Sequence, residues 1–189
     1  YEPENLAIEY EQSGVGAISI LTEKNFFKGS LDHLSLVHKN SKLPILRKDF
    51  IIDSYQILQS KIYKADAILL IVSILSDSQI KDFIDIADNF NLDCIIEIHT
   101  NKEFERAIKI GYPIIGINNR NLKTLETNIN TTYDIHDILI DHNGPLISES
   151  GIKTKEELLE ITKKTKIKTF LIGESLLKSL DKNSIFSVL

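Results

Sequence analysis

Apolar residues recur along the chain in seven short runs that are rich in isoleucine, leucine and valine. The runs are residues 17–21, 44–48, 67–72, 94–98, 113–118, 145–150 and 169–173. Most of them are apolar at consecutive positions instead of alternate ones, which is typical of strands that are covered on both faces, as in parallel sheets. Three runs open on proline, which is tolerated at the first residue of a strand. The pattern therefore predicts seven buried strands.

Segments with helical periodicity lie between these runs. The apolar positions of residues 80–90 repeat at helical spacing. Capping-box patterns predict several helix starts, and they are formed by Ser76 with Gln79, Thr100 with Glu103, and Thr154 with Glu157. Gly111 is placed to end the helix that precedes it. Strands that alternate with helices in this way predict parallel βα units.

Seven parallel strands fit an open doubly wound sheet or most of an eight-stranded barrel, and two observations favour the barrel. No glycine-rich dinucleotide-binding motif follows the first run. Polar residues gather at the carboxyl ends of most runs, where a barrel builds its active site. These residues are Thr22, Glu23, Lys48, Asp49, Glu97, His99, Asn118, Asn119, Arg120, Glu149 and Ser150. We therefore predict a (β/α)8 TIM barrel.

The chain opens with a helical segment, "EPENLAIEYEQSG", where a barrel would have its first strand, and it contains no methionine. We therefore expect a single barrel domain over residues 1–189 that holds strands two to eight, with the first strand missing from the sequence. We also expect the chain by itself to be inactive or nearly so.

Composition and charge exclude several classes of function. A net charge of −5 argues against binding to nucleic acid or to an anionic membrane by electrostatic attraction. No apolar run reaches the roughly 18 residues of a membrane-spanning helix. The single cysteine, Cys94, cannot form an internal disulfide, fits a reducing compartment and lies in an apolar run, so we expect a core residue in a cytoplasmic protein. The five histidines show no ligand spacing, and we expect no metal and no cofactor.

Two cations interrupt the apolar segment "LPILRKDFIIDSYQI" of residues 43–57. Lys48 ends the second run, where its ammonium group would point into the mouth of the barrel. The alternative is a lysine that extends from a strand end into water. We favour a functional role, because Lys48 is in register with the other polar strand ends. Arg47 lies on the alternate face and is predicted to point toward the helices.

Later strand ends supply further polar groups. Glu97 is a carboxylate within an apolar run, and it could set the protonation of a neighbouring lysine, handle a proton itself or form a structural ion pair. Asn118 and Arg120 follow the next run and could orient a hydroxyl or carboxylate group, although asparagine is also a common turn residue. Gly151 and Gly173 follow the last two runs, where backbone N–H groups can approach an anion. The residues alone therefore predict a TIM barrel of the phosphate-binding type.

Several motifs together resemble indole-3-glycerol-phosphate synthase of tryptophan biosynthesis. They are "AISILTEKNFFKGSLDHL", "PILRKDFIIDSYQI", "ADAILLIVSIL", "IIEIHT", "IGINNRNLKTLETN", "SESGI" and "FLIGESLL". They occur in the order of the family over the entire chain, and the combination of "LRKDFI" with "IGINNRNL" is specific to it. The resemblance implies a lyase that converts 1-(2-carboxyphenylamino)-1-deoxyribulose 5-phosphate to indole-3-glycerol phosphate, with loss of carbon dioxide and water.

The resemblance also implies roles for individual residues. Lys48 corresponds to the general acid of ring closure, while Glu97 and Asn118 correspond to a carboxylate and an amide of the catalytic mouth. The implied substrate-binding residues are Phe27, Phe50, Leu69, Ile71, Arg120, Leu125, Glu149 and Ser150. The implied phosphate-binding residues are Gly151, Gly173 and Glu174, the last through its backbone. Position 174 holds a small polar residue in some family members, but a backbone contact needs no particular side chain.

The resemblance implies a small phosphosugar substrate and a monomer or weak oligomer, and it allows fusion or association with another tryptophan-pathway enzyme. Family members carry a glutamate, a lysine and a Ser-Pro-Ser loop in a longer first segment that this sequence lacks. Two alternatives therefore stay open. One is a non-catalytic truncated barrel that binds only a phosphosugar or a partner. The other is a different phosphosugar enzyme on the same barrel.

Overall fold

Strands and helices alternate through the computed structural model, which describes residues 2–137 and 142–178. The strands are β1 (Ile18–Leu21), β2 (Ile45–Lys48), β3 (Ala67–Ile71), β4 (Asp93–Ile98), β5 (Ile115–Asn118), β6 (Leu146–Glu149) and β7 (Thr169–Leu171). The helices are α1 (Pro3–Gln12), α2 (Asp32–Asn40), α3 (Ser54–Ile62), α4 (Asp77–Asn89), α5 (Asn101–Ile110), α6 (Asn130–His136), α7 (Lys155–Lys164) and α8 (Glu174–Lys178). The seven predicted strands and the opening helix are confirmed.

The prolines that open three of the apolar runs lie just before the strands. Pro44 and Pro145 each precede a strand by one residue, and each contributes its carbonyl oxygen to the neighbouring strand. The Ile18 N–H donates to Pro44 O at 2.9 Å, and the Ile115 N–H donates to Pro145 O at 3.1 Å. Because proline has no N–H, regular pairing begins only after it.

The first compact unit is Tyr1–Ile95, and its strands β1, β2 and β3 are parallel neighbours in chain order. Leu21 at the end of β1 pairs with Lys48 at the end of β2. The chain enters β4 through Asp93, whose N–H donates to Asp66 O at 2.9 Å. This register brings the carboxyl ends of β1 and β2 to the same level.

The second compact unit is Ile96–Leu189, and in it β5 pairs with the end of β4, β6 with β5, and β7 with β6. All of these pairs are parallel. Asn118 pairs with Glu149, and Glu149 with Leu171, so polar strand ends again lie side by side. That residues 1–189 form one domain stays a prediction.

Burial explains the apolar patterns. Residues 68–71 of β3 are all buried, as expected for a strand covered on both faces. Helix α4 buries Ile80, Phe83 and Ala87 on one face, which confirms these members of the predicted stripe, while Ile84 and the C-cap residue Phe90 are half-buried. Gly111 ends α5 in the left-handed conformation at φ 87°, also as predicted.

The predicted capping boxes of α4 and α7 are confirmed, with both reciprocal hydrogen bonds present. For α5, one of the two hydrogen bonds of the predicted capping box is present and the prediction of the other is wrong. Thr100 Oγ1 accepts a hydrogen bond from the Glu103 N–H at 3.3 Å, but the Glu103 carboxylate accepts from the His99 N–H at 2.8 Å instead of the Thr100 N–H. The physical reason is that the imidazole of His99 also attracts this carboxylate, with Nδ1 and Oε2 3.2 Å apart.

Candidate active site

Lys48 is the last residue of β2 and is half-buried. Its carbonyl oxygen accepts a hydrogen bond from the Thr22 N–H at 3.3 Å. The strand end is therefore fixed to the residue that follows β1. The predicted strand-end position of Lys48 is confirmed, and the role of its ammonium group stays a prediction.

Arg47 explains how an apolar strand can carry an extra cation. The side chain is only 2% exposed, and it reaches α3, where Nη1 donates to Gln56 O at 2.7 Å and to Ser60 Oγ at 3.1 Å. Nη2 forms an ion pair with Asp49 Oδ2 at 2.9 Å. The charge is compensated and its N–H groups are satisfied, as burial requires. The prediction that Arg47 faces the helices is confirmed.

Two of the predicted wall residues meet in the first unit. The ring centroids of Phe27 and Phe50 are 6.3 Å apart, with a tilt of 32° between the planes. The Glu23 carboxylate fixes the loop that contains Phe27, because it accepts hydrogen bonds from the N–H groups of residues 25–27 at 2.6–3.1 Å. Gly29 closes this loop where a Cβ would lie 2.3 Å from Leu21 O.

The other predicted wall residues differ in exposure. Leu69 and Ile71 on β3 are buried, at 2% and 3% exposure. Leu125 belongs to the loop between β5 and α6; its side chain is 59% exposed and its backbone is left-handed, with φ 61°. Contact of these three residues with a substrate stays a prediction.

In the second unit, Glu97 is buried at the carboxyl end of β4 beside an imidazole. His99 Nε2 lies 3.3 Å from Glu97 Oε1, and His99 Nδ1 lies 3.2 Å from Glu103 Oε2. Burial alone would lower the pKa of His99, but the hydrogen bonds and negative charges of the two carboxylates raise it from 6.5 to about 9. For the Glu103 carboxylate, burial has the opposite effect and would raise the pKa. The hydrogen bonds and charge of His99 outweigh burial and lower the pKa of Glu103. At neutral pH, His99 is therefore a cation beside Glu97 and Glu103.

Arg120 lies in the loop after β5 and is already engaged. Its Nη2 lies 2.8 Å from the Glu174 carboxylate at the start of α8, and its Nη1 donates to Leu125 O at 2.8 Å. The Arg120 N–H donates to Asn118 Oδ1 at 2.9 Å. Asn118 is thus buried against its own loop, while the guanidinium is held at the surface by a carboxylate.

The residues after β6 form a strained turn. Glu149 is fully buried at the end of the strand, and Ser150 and Gly151 follow with φ values of 64° and 80°. Left-handed backbone is costly for serine and natural for glycine. A Cβ at Gly151 would also lie 3.2 Å from Thr127 Cβ. Turns of this kind can bind an anion through backbone N–H groups, and in this turn the Ser150 N–H already donates to Leu171 O at 3.3 Å.

Gly173 differs from Gly151. A Cβ added there would meet no described atom within 4 Å, and its φ lies outside the left-handed region. Both glycines directly follow a strand in the sequence. Only at Gly151 do the backbone conformation and the nearby Thr127 side chain disfavour any other residue. The phosphate-binding role of both stays a prediction.

Sequence reasoning placed Asn119 among the polar strand ends but gave it no role; it is 2% exposed and joins three elements. Its Oδ1 accepts from Thr132 Oγ1 at 2.8 Å, and its Nδ2 donates to Ser148 Oγ at 3.2 Å and to Ser150 O at 3.1 Å. Asn119 therefore supports the strained turn after β6. Its only sequence signal was its place beside Asn118 after a buried strand.

Comparison with known proteins places the chain in a family. The family model described as "Indole-3-glycerol phosphate synthase" matches residues 1–188. The chain belongs to the indole-3-glycerol phosphate synthase family. Similar proteins of that name come from Endomicrobium trichonymphae, with 44% identity over 95% of this chain and 69% of the relative, and from Aquifex aeolicus, with 45% identity over 94% and 69%. The protein from Caldanaerobacter subterraneus is 49% identical over 92% of this chain and 66% of its own length.

Solved structures support the fold. A 3-keto-L-gulonate-6-phosphate decarboxylase from Vibrio cholerae matches with a TM-score of 0.69 and 18% identity, over 95% of this chain and 86% of that chain. A structure of KGPDC from Streptococcus mutans matches with a TM-score of 0.71 and 11% identity, over 100% of this chain and 91% of that chain. The predicted (β/α)8 barrel class is confirmed by this likeness together with the indole-3-glycerol phosphate synthase family.

Membership in the indole-3-glycerol phosphate synthase family makes the protein an enzyme of tryptophan biosynthesis and a decarboxylating lyase. Within the part of the chain that the structure describes, no helix is long and apolar enough to cross a membrane. The same residues contain no group of three or more histidine, cysteine, aspartate or glutamate side chains that could hold a metal ion. Cys94 is fully buried, and burial with nearby aspartates raises its pKa to about 12, which confirms a core residue.

Proposed function

We propose that the protein converts 1-(2-carboxyphenylamino)-1-deoxyribulose 5-phosphate to indole-3-glycerol phosphate, with Lys48 as the general acid of ring closure. The observation that carries this proposal is the half-buried Lys48 at the end of β2, within the motif shared with the family. A TIM barrel places reactive groups at the carboxyl ends of its strands. The adjoining cation, Arg47, is held by α3 and Asp49, and a guanidinium does not give up its proton in proteins, which favours Lys48 as the proton donor.

Ring closure needs a proton donor at one oxygen. The ring carbon that bears the carboxyl group attacks the ketone carbon, a carbon–carbon bond forms at the expense of the ring's aromaticity, and the ketone oxygen gains negative charge. The Lys48 ammonium transfers a proton to that oxygen. The carboxyl group then leaves as carbon dioxide, and its electron pair restores the aromatic ring. Loss of water completes the indole. A cation next to the developing oxyanion lowers the barrier most in a site that excludes water.

Glu97 and Asn118 are proposed to act on the polar part of the same substrate. Glu97 is buried, and its Oε1 lies 3.3 Å from His99 Nε2. Its carboxylate is proposed to accept a proton while water is lost. Asn118, buried at the end of β5, is proposed to hold a substrate hydroxyl through a hydrogen bond.

We propose that the substrate phosphate binds to backbone N–H groups at Gly151, Gly173 and Glu174. The consecutive left-handed residues at 150 and 151 support this assignment, because such backbone suits an anion. Arg120, Glu149 and Ser150 are proposed to line the site. The proposed apolar wall for the carboxyphenyl ring consists of Phe27, Phe50, Leu69, Ile71 and Leu125.

The test is turnover by the native enzyme, meaning the complete protein as its organism produces it. Turnover is monitored through indole fluorescence and through release of carbon dioxide. We expect Lys48→Met to lower kcat by roughly 10²- to 10⁴-fold, with little change in the unfolding transition, because the side chain is only half-buried. The control is Lys39→Met, at an exposed lysine of α2, which should keep normal turnover. Near-normal turnover by Lys48→Met would refute the role of the lysine. Absence of turnover by the native enzyme would refute the reaction.

A further inference from the structure

A buried polar cluster flanks Lys48 without contributing a group to the chemistry proposed above. It consists of Thr22, Arg47, Asp49 and Ser60, here named the Arg47 cluster. Exposure is 3% for Thr22, 2% for Arg47 and 0% for Ser60, and the Asp49 side chain is 10% exposed. Buried charges are costly unless they are paired and hydrogen-bonded. A cluster of this kind next to a proposed acid calls for a functional explanation.

The guanidinium divides its hydrogen bonds between two sides. Arg47 Nε lies 3.1 Å from Thr22 Oγ1 and 3.3 Å from Asp49 Oδ2, and Nη2 lies 2.9 Å from the same Oδ2. Thr22 Oγ1 also donates to Asp49 Oδ2. On the other side, Nη1 contacts α3 through Gln56 O and Ser60 Oγ. Asp49 Oδ2 therefore has three donors from two side chains.

The other carboxylate oxygen of Asp49 holds the peptide group that follows this residue. Asp49 Oδ1 accepts the Phe50 N–H at 2.8 Å, and Gln56 Nε2 donates to Phe50 O at 3.0 Å. On the preceding side, the Thr22 N–H donates to Lys48 O. Both peptide groups that flank Asp49 are thus fixed by the cluster or by its direct neighbours.

We propose that Asp49, held by Arg47 and Thr22, is a positioning residue that fixes the backbone from which the Lys48 ammonium reaches the substrate. The inference rests on the proposed function for what Lys48 does. Neighbouring side chains of a strand point to opposite faces, so the Arg47 side chain lies on the face of β2 opposite to that of Lys48 and can hold Asp49 from there. A flexible lysine side chain needs such an anchor, because displacement of a reacting group by about 1 Å can cost on the order of 10² in rate.

Thr22 offers the sharpest test, because it can be changed while both charges stay in place. Thr22→Val keeps the shape and removes the hydroxyl that bridges Arg47 and Asp49, whereas Thr22→Ser keeps the hydroxyl. We expect Thr22→Val to lower kcat of the native enzyme roughly 10-fold or more with little change in KM, and Thr22→Ser to restore most of it. Ser60→Ala is the matched control, because it removes an equally buried hydroxyl from the nitrogen of Arg47 that does not contact Asp49.

Thermal unfolding of both variants separates stability from positioning. If Thr22→Val and Ser60→Ala lose stability alike but only Thr22→Val loses kcat, the positioning role is supported. Equal effects on kcat, or a change in KM alone, would overturn it. If the native enzyme itself shows no turnover, the proposed function fails instead.

Amide hydrogen exchange tests the anchor independently of turnover. The N–H of Phe50 should exchange faster in Thr22→Val than in Ser60→Ala, because only the first variant releases a donor from Asp49. Equal protection of this N–H in both variants would overturn the anchor, whatever the kinetics show.

Discussion

At the scale of single residues, His99 ties the ionisation of the candidate site to stability. Its pKa is raised from 6.5 to about 9 in the folded protein by the hydrogen bonds and charges of Glu103 and Glu97, which overcome burial. A group whose pKa is higher in the folded state binds protons more tightly there. Its stabilising contribution is therefore fully present below about pH 6.5 and is lost as the pH rises through about 9.

We predict that His99→Gln loses the most stability relative to wild type near pH 6 and the least near pH 10. A difference of this size in pKa corresponds to about 3 kcal/mol at the low-pH limit. Urea unfolding of both proteins across this range measures it, and the comparison cancels the groups that titrate in both. His38→Gln, at an exposed histidine of α2, controls for the substitution. A difference between wild type and His99→Gln that does not vary with pH would contradict the ion-pair assignment.

Glu174 is a second residue whose charge has a readable consequence. Its carboxylate forms an ion pair with Arg120, with Oε2 2.8 Å from Nη2. The backbone N–H of the same residue is one of the groups proposed to bind the substrate phosphate. We predict that Glu174→Ser lowers KM for the substrate by roughly two- to fivefold with little change in kcat, because an anion that repels phosphate and competes for Arg120 is removed. Steady-state kinetics of the native enzyme measures this change.

Glu160→Ser provides the control for this prediction, since it removes an exposed carboxylate that pairs with Lys164 on α7. Its KM should match that of wild type. A higher KM in Glu174→Ser would mean that Glu174 orients Arg120 for the substrate, which is the opposite of competition.

At the scale of elements, the connection from β2 to α3 combines a helix cap with the support of the site. The Asp53 carboxylate accepts the Tyr55 N–H at 2.8 Å, while Gln56 Oε1 accepts the N–H groups of Ile52 and Asp53 at 2.8 and 3.0 Å. This capping box has the usual sequence signature of an acidic residue followed three positions later by glutamine. It was missed because it adjoins the apolar run of β2.

We predict that Asp53→Ala lowers the free energy of unfolding by about 1 kcal/mol, the usual cost of losing an N-cap side chain. Urea unfolding at neutral pH measures the loss. Asp85→Ala, at an exposed position in the middle of α4, should stay within about 0.5 kcal/mol of wild type. Equal losses in the two variants would show that the cap contributes nothing beyond the removal of a surface charge.

Strands were predictable because their signal is local. Consecutive apolar residues identified all seven, and the observed starts differ mainly where proline lacks the N–H that pairing requires. Half of the capping box at Thr100 was wrong because His99, one residue earlier, competes for the Glu103 carboxylate. Local patterns therefore predict an element well and its exact hydrogen bonds less well.

At the scale of the whole molecule, the candidate site depends on partners that are distant in sequence. Lys48 and Asn118 are the last residues of β2 and β5, and Glu97 is the last but one of β4, so their predicted strand-end positions are confirmed, each within its own strand. The contact of Arg120 with Glu174 spans 54 positions, and that of Asn119 with Ser148 spans 29. No periodicity along the chain encodes such pairs, so they emerged only once the strands were in register.

The burial of Cys94 has a practical consequence. With a pKa of about 12, its sulfur is almost entirely protonated at neutral pH, and maleimide reagents need an accessible thiolate. It is also the single cysteine in the sequence. A cysteine introduced at an exposed position, such as Lys39→Cys on α2, would therefore accept a fluorophore selectively without prior removal of the native residue. The buried native cysteine thus leaves a single introduced thiol as the site of labelling.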